Sequence, residues 1–335
     1  MKAAVYNGPK NVEIVDLATP ECGPDDVLLR NLYASVCGSD ISVYFHGPRA
    51  HRITPGSEFG HEMISEVAAK GANVKDLEVG DRVYPYPILA AGDSSRAGTL
   101  GGFSEYILVP GCEVGRQVYP LPDAIPTKTA ALIEPFTVAT HAVRRAGPQK
   151  GETAIVFGAG TIGIGAAIAL KHLGCSTVMV VDLSDFRLAK AAELGFATCN
   201  SGTEDLKAKA VEVFGEARAL KGTTADVDIY VEATGVDALV GAYQDLGKVH
   251  SRMVVVGVHA NPVPVNLSTL AYAHQALIGS GGYTPEDVQT VLAIMESGEF
   301  DIPSIITHEF PHGEIEKAIV TASDVNNALN VVIRY

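Results

Sequence analysis

The 335-residue chain contains no tryptophan and only five cysteines, Cys22, Cys37, Cys112, Cys175 and Cys199. They are odd in number, scattered, and never spaced as Cys-x-x-Cys. That argues against the disulfide framework of a small secreted domain and against a compact cysteine-rich zinc ribbon. Basic charge is scarce as well. Twenty-five Lys and Arg face 39 Asp and Glu, a formal net charge of −14. This is the opposite of the basic footprint of a nucleic-acid binder. No stretch reaches the roughly 18 consecutive apolar residues of a membrane span. The opening MKAAVYNGPKNVEIVDL has no apolar run after its lysine that would make it a secretory signal. These absences predict a soluble, cytoplasmic protein with neither nucleic acid nor membrane as partner.

What is present is 47% hydrophobic residues, enough for a substantial core in roughly two domains of about 100–200 residues each. The first third carries short β-prone runs, DVLLRNLYASV, MISEVAAK, DRVYPYP and FSEYILVP, joined by Gly and Pro turns, and reads as a β-rich body. Near residue 150 the character changes. ETAIVFG, STVMVVD, DVDIYVEATG, SRMVVVGV and QALIGSGG read as buried strands. They alternate with helices such as TIGIGAAIALKHLG and SDFRLAKAAELG, which end on Gly174 and Gly195. Such alternation predicts a doubly wound parallel sheet. The tail adds the helix TPEDVQTVLAIMESG, with Thr284, Pro285 and Asp287 as a capping box, then SIITHEF, a short helix and the strand ALNVVIRY. This is too little for a domain of its own, so it is expected to rejoin the N-terminal body.

VFGAGTIG places Gly158, Gly160 and Gly163 in G-x-G-x-x-G spacing between a strand and a helix. The first glycine allows the tight turn, the second lets backbone approach a pyrophosphate, and the third permits close helix–strand packing. Asp182 ends the next strand, 24 residues beyond Gly158, near the interval of about 20 expected for a carboxylate on the ribose hydroxyls. It favours NAD over NADP. Arg187 can lie over the adenine or serve a 2′-phosphate. Thr161 and Ile162 within the loop, and Thr234 and Val258 after later strands, complete the cofactor-binding set.

Cys37 in ASVCGSD, His61 in PGSEFGHE and Glu134 in ALIEPFTVATHA are residue types that bind zinc, and three protein ligands leave a fourth position open for chemistry. Each also has an ordinary reading: a small buried thiol, a hydrogen-bonded strand histidine, a charge at a helix start. Spacing alone leaves the choice open.

The combination CGSD, GHE, EPFTVATHA, GAGTIG and Asp182 resembles the zinc-dependent medium-chain dehydrogenase/reductase family. It is closest to the polyol and secondary-alcohol branch that includes sorbitol, butanediol and threonine dehydrogenases. GSGGYTPEDV and IITHEF resemble the butanediol-type members, and the motifs run in the family's order over almost the whole chain. The resemblance implies a GroES-like β-rich catalytic domain, residues 1–134 and 281–335, with a Rossmann NAD-binding domain, residues 135–280, inserted in it. It implies catalytic zinc on Cys37, His61 and Glu134, with Glu62 behind them or binding directly in some states. Ser39 would be the proton-relay hydroxyl, its ordinary alternative being a cap for the helix SDISVYF. Asp40 would buttress the ligand loop. Many relatives carry a histidine where this chain has Ser42, and His46 is the candidate substitute or a pocket-wall residue. Homodimers or homotetramers joined through the Rossmann sheet are implied.

Two departures stand out. No cysteine occurs between Cys37 and Cys112, so the four-cysteine structural zinc of many relatives should be absent, leaving one catalytic zinc per subunit. The replacement AAGDSSRAGTLGG reads as a flexible surface loop near a subunit contact or the active-site mouth. Gly282-Tyr283 replaces the Arg-Tyr pair of sorbitol dehydrogenases, which lowers sorbitol and raises smaller secondary alcohols or vicinal diols. Arg49, His51 and Arg52 keep phosphorylated polyols open. The rival readings are a zinc-free quinone or enone reductase and a non-catalytic dinucleotide-binding protein.

Overall fold

The alternating apolar runs of the first third assemble into a largely antiparallel sheet. In the computed structural model, which describes residues 1–48, 53–93, 95–97 and 99–335, its order is Ile306–Pro311, Asn330–Arg334, Val27–Ser35, Glu62–Lys70, Arg82–Pro85, Val118–Pro120. Tyr106–Val109 also pairs with Val27–Ser35. The tail does rejoin the N-terminal body: Asn330–Arg334 lies antiparallel to Val27–Ser35 and parallel to Ile306–Pro311. Arg49, His51 and Arg52 lie outside the described residues.

The continuous apolar runs of the middle section form a six-stranded parallel sheet. Its order is Ala197–Asn200, Thr177–Asp182, Thr153–Phe157, Ile229–Glu232, Arg252–Val255, Ala276–Gly279. Numbered along the chain this is 3-2-1-4-5-6, the Rossmann order, with the switch point between the first and fourth strands.

The chain divides into two units, Met1–Glu134 with Ile302–Tyr335, and Pro135–Asp301. The return crossing therefore falls 21 residues later than the expected boundary at 281. The reason is the helix Pro285–Ser297. It buries Val288, Val291, Leu292 and Ile294, and its Asp287 accepts hydrogen bonds from His141 (2.8 Å) and Arg144 (3.2 Å) of the second unit. The capping box of Thr284 and Asp287 forms as expected.

Several described residues in and just after the glycine-rich stretch that follows residue 90 have buried partners. Leu100 and Phe103 are buried. Phe103 N donates to Phe59 O (2.9 Å) and Gly102 N to Gly60 O (2.8 Å). Arg96 forms an ion pair with Glu58, which is only 3% exposed, and Ser104 Oγ donates to the same carboxylate. The glycines suggest a flexible surface loop; they do not show that Arg96, and Phe103 just after the stretch, have buried partners about 40 residues back in the chain.

Candidate metal centre and cofactor cradle

The strand Val27–Ser35 runs out just before Cys37, which is the N-cap of the helix Gly38–His46. Cys-x-x-Asp works here as a capping box with sulfur in the hydroxyl's place. Cys37 Sγ accepts from Ser39 N at 3.5 Å, and Asp40 Oδ2 accepts from Cys37 N at 3.0 Å. Asp40 thus buttresses the ligand loop. Ser39 is not the cap. It sits in the first turn, and its buried Oγ has no hydrogen-bond partner among the described residues.

His61 follows Gly60, whose φ of 88° favours glycine and where a Cβ would strike the Phe103 ring at 2.7 Å. That turn delivers His61 and Glu62, at the start of the strand Glu62–Lys70, to Cys37. The ligand atoms of Cys37, His61 and Glu62 all lie within 4.8 Å of one another. Tetrahedral ligands at about 2.0–2.3 Å from zinc stand about 3.3–3.8 Å apart, so the cluster has to contract by only about 1–1.5 Å. Glu134, 7% exposed in the first turn of the helix Ile133–Ala146, is not part of that trio. Its charge nonetheless acts on both Cys37 and His61.

The electrostatics call for a cation. Burial pushes the Cys37 thiol well above its ordinary value, and Glu62, Asp40 and Glu134 push it further. Burial likewise lifts Asp40 to about 6. For His61, burial works downward, but Asp40, Glu134 and Glu62 outweigh it and raise the imidazole. The Nδ1 atom of His61 is buried with no partner among the described residues. A thiol, an unpaired imidazole nitrogen and crowded carboxylates make a poor hydrogen-bond cluster and a good metal donor set, because a divalent ion reverses this pKa logic and deprotonates the thiol. The residues present therefore fit zinc.

His46 does not join the cluster. It ends the helix that Cys37 begins and is exposed. Seven residues of helix separate it from Ser39, about 10 Å along the axis, whereas a proton relay needs hydrogen-bond reach of about 3 Å. Ser42, one turn on from Ser39, shares its face.

In the second unit the glycine loop adopts the geometry its spacing demands. Gly158 has φ of 101°, and a Cβ on Gly163 would lie 1.8 Å from Gly158 O. Gly160 is less crowded, with only the Arg187 side chain within reach of a Cβ. It is the N-cap of the helix Thr161–His172 and supplies no side-chain cap, so that terminus is suited to an anion. Asp182 Oδ2 accepts from Ala159 N (2.6 Å), and Oδ1 from Leu183 N and Ser184 N (2.7 and 2.9 Å). Those bonds aim the carboxylate at the loop. A Cβ on Gly160 would stand 3.7 Å from Arg187 Nη1, so Arg187 borders the loop. Thr234 packs on Gly158, and Val258, 79% exposed, follows the fifth strand. Sequence reasoning missed the groups that bind these last loops together, Glu232, Asp237 and His259. They are up to 27 positions apart and meet only because the fourth and fifth strands are neighbours.

Known proteins agree with both halves. Residues 23–123 match the alcohol dehydrogenase GroES-like domain, and residues 161–297 match the zinc-binding dehydrogenase domain. The chain is 30% identical to (R,R)-butanediol dehydrogenase of Bacillus subtilis (strain 168), over 92% of this chain and 91% of that protein. It is 30% identical to L-threonine 3-dehydrogenase of Deinococcus deserti, over 89% and 88%. The crystal structure of 2R,3R-butanediol dehydrogenase from Bacillus subtilis superposes with a TM-score of 0.85 at 27% identity, covering 100% of this chain and 99% of that one. The chain belongs to the zinc-dependent medium-chain dehydrogenase/reductase family, in the polyol dehydrogenase branch, and is an oxidoreductase of alcohol or polyol CH–OH groups that uses a nicotinamide cofactor.

Proposed function

We propose that the chain transfers hydride between a secondary alcohol, vicinal diol or polyol and NAD(H), with one catalytic zinc per subunit and no structural zinc. Cys37, His61 and Glu134 would hold the ion, with Glu62 close enough to bind as well. The observation that carries this reading is the convergence of Cys37, His61 and Glu62 within 4.8 Å around an unpartnered imidazole nitrogen.

Zinc held there supplies Lewis acidity, whose scale is set by water: a pKa of about 15.7 falls to about 7, on the order of 12 kcal/mol in favour of the anion. The protein does the rest. Asp40 fixes the backbone of Cys37 and so the direction of its sulfur. Ser39 Oγ, buried and without a hydrogen bond of its own, takes the substrate's hydroxyl proton and hands on its own. A nicotinamide bound in the second unit would supply the hydride acceptor for oxidation of the alcohol to a ketone. The N-terminus of the helix Thr161–His172 would hold the pyrophosphate. Asp182 accepts the ribose hydroxyls and repels a 2′-phosphate, which selects NAD. Gly282-Tyr283 offers no guanidinium to a long sugar chain, which favours smaller diols over sorbitol.

Self-association and a cytoplasmic setting belong to the same reading. Ala276–Gly279 ends its sheet with one side unpaired, and Leu267 and Tyr272 nearby are more than 70% exposed, features suited to a homodimer or homotetramer. All five cysteines are free thiols, in keeping with a reducing compartment.

The test is an absorbance screen at the NADH band. Diols, polyols, polyol phosphates and threonine are offered with NAD and with NADP, before and after chelation. Fewer than about 0.2 zinc per chain in active protein, or turnover that survives Cys37→Ala, would overturn it.

A further inference from the structure

The parallel sheet ends, at its carboxyl edge, in a group of charges that the glycine loop does not use. Glu232 closes the fourth strand and is fully buried. One of its oxygens, Oε1, accepts from Thr234 N, Thr234 Oγ1 and Gly235 N (2.7, 2.5 and 2.9 Å). The other, Oε2, lies 3.0 Å from His259 Nε2. The second ring nitrogen, Nδ1, lies 3.0 Å from Asp237 Oδ1. His259 stands four residues beyond the fifth strand, while Asp237 begins the helix Ala238–Leu246 after the fourth. One imidazole therefore ties two neighbouring loops together.

Those loops are already in contact. A Cβ on Gly235 would meet Val258 O at 2.4 Å, and one on Gly257 would meet Gly235 N at 2.2 Å. Thr234 also packs on Gly158 of the phosphate loop, across the switch point. The fourth to sixth strands make up the second mononucleotide-binding half of a Rossmann sheet. With Asp182 claiming the adenosine ribose in the first half, the nicotinamide half falls to the loops carrying Thr234 and Val258.

Both ring nitrogens face carboxylates, and only the imidazolium can donate from both. Neutral imidazole keeps one N–H and turns a lone pair toward the other acid. Glu232 is buried and cannot turn to water, whereas Asp237 is 43% exposed and can. Deprotonation therefore opens the Asp237 side first. Among the described residues, Asp237 and Glu232 are the charged groups that face His259. The hydrogen bond to Asp237 and then the Glu232 contact raise its pKa above the ordinary 6.5, against the effect of burial. We propose that His259, shared as an imidazolium between Glu232 and Asp237, is a positioning residue that sets the loops receiving the nicotinamide half of the dinucleotide, and that losing its proton weakens dinucleotide binding. The proposal rests on the cofactor reading above.

The test is calorimetric titration of NADH into zinc-loaded wild type, His259→Gln and Asp237→Asn, with no alcohol present. Asp237 makes no side-chain cap to its helix, so the second variant spares the helix even if the first misfolds. Between about pH 6 and about pH 9, where imidazole discharges, the wild-type Kd should rise about 5-fold or more, the low end of ordinary coupling. Both variants should bind at every pH about as weakly as wild type does at high pH. The His259 ring resonances in cofactor-free protein should titrate over the same interval. Equal pH slopes in wild type and both variants would overturn the clasp while leaving the cofactor reading intact. No saturable binding by wild type at any pH would overturn the cofactor reading itself.

Discussion

Replacing Arg96 by Met isolates the ion pair that anchors the glycine-rich stretch. Glu58 is 3% exposed, and its charged partner Arg96 is 29% exposed. Removing one member of a buried pair costs about 3–5 kcal/mol, because a charge stays behind out of water. Two features reduce that here. Ser104 Oγ still donates to Glu58, and the exposure of Arg96 means water can reach part of the vacated space. A loss of about 2–3 kcal/mol is the expected result. The unit concerned has about 170 residues, and at about 2–4 °C per kcal/mol its Tm should fall by about 4–12 °C. Differential scanning calorimetry at fixed zinc and protein concentration reads this directly. The double variant Glu58→Gln with Arg96→Met removes both charges and should recover to within about 1 kcal/mol of wild type. A single variant shifted by less than about 1 °C, or a double variant less stable than the single, would refute the reasoning.

Three further expectations follow from the same contacts. Asp40→Asn weakens the hold on Cys37 N–H and removes a carboxylate from beside His61, so zinc affinity measured by competition with a chelator should drop about 10–100-fold; unchanged affinity would count against the buttress. Asp182→Asn keeps the bulk but removes the charge meant for the ribose hydroxyls. At about 1.5–3 kcal/mol for a charged hydrogen bond, kcat/KM with NAD should fall about 10–100-fold while that with NADP rises or holds, read by initial rates with each cofactor. His312 is held neutral: burial lowers its pKa, outweighing the Phe103 carbonyl (2.9 Å) and Glu105. The unfolded chain therefore binds this proton more readily than the native one. The stability His312 lends is present above about pH 6.5 and is lost as pH falls toward its depressed native value. Melting curves at several pH values should show a steeper acid-side decline for wild type than for His312→Gln.

The parts of this molecule legible in the sequence are those dictated locally. The glycine loop, the strand–helix alternation and the capping box of Thr284 and Asp287 each depend on residues within one or two turns of one another. The signal for Cys37 was weaker, since sulfur seldom replaces oxygen as a helix cap, yet Cys-x-x-Asp does carry the spacing of a capping box. What stayed hidden depends on strand order. Arg96 finds Glu58, and His259 finds Glu232, only after the sheets have chosen their neighbours. His46 shows a related limit: proximity in sequence to Ser39 becomes two turns of separation once the segment is helical, so the two cannot pair directly. The later domain boundary reflects Asp287, whose partners His141 and Arg144 are nearly 150 residues earlier.

The strand Asn330–Arg334 has a bearing on biosynthesis. It sits between Ile306–Pro311 and Val27–Ser35, and Val36 N, next to Cys37, donates to Val331 O at 3.0 Å. On a ribosome, residues 135–301 emerge complete before that strand exists. The nucleotide-binding unit can fold as its own residues appear, whereas the metal-binding unit must keep its first strands waiting, unpaired on one side, until residues 330–334 have been made. Zinc capture by the nascent polypeptide is therefore expected to be a late event, and the interval before it is when this chain most needs a chaperone.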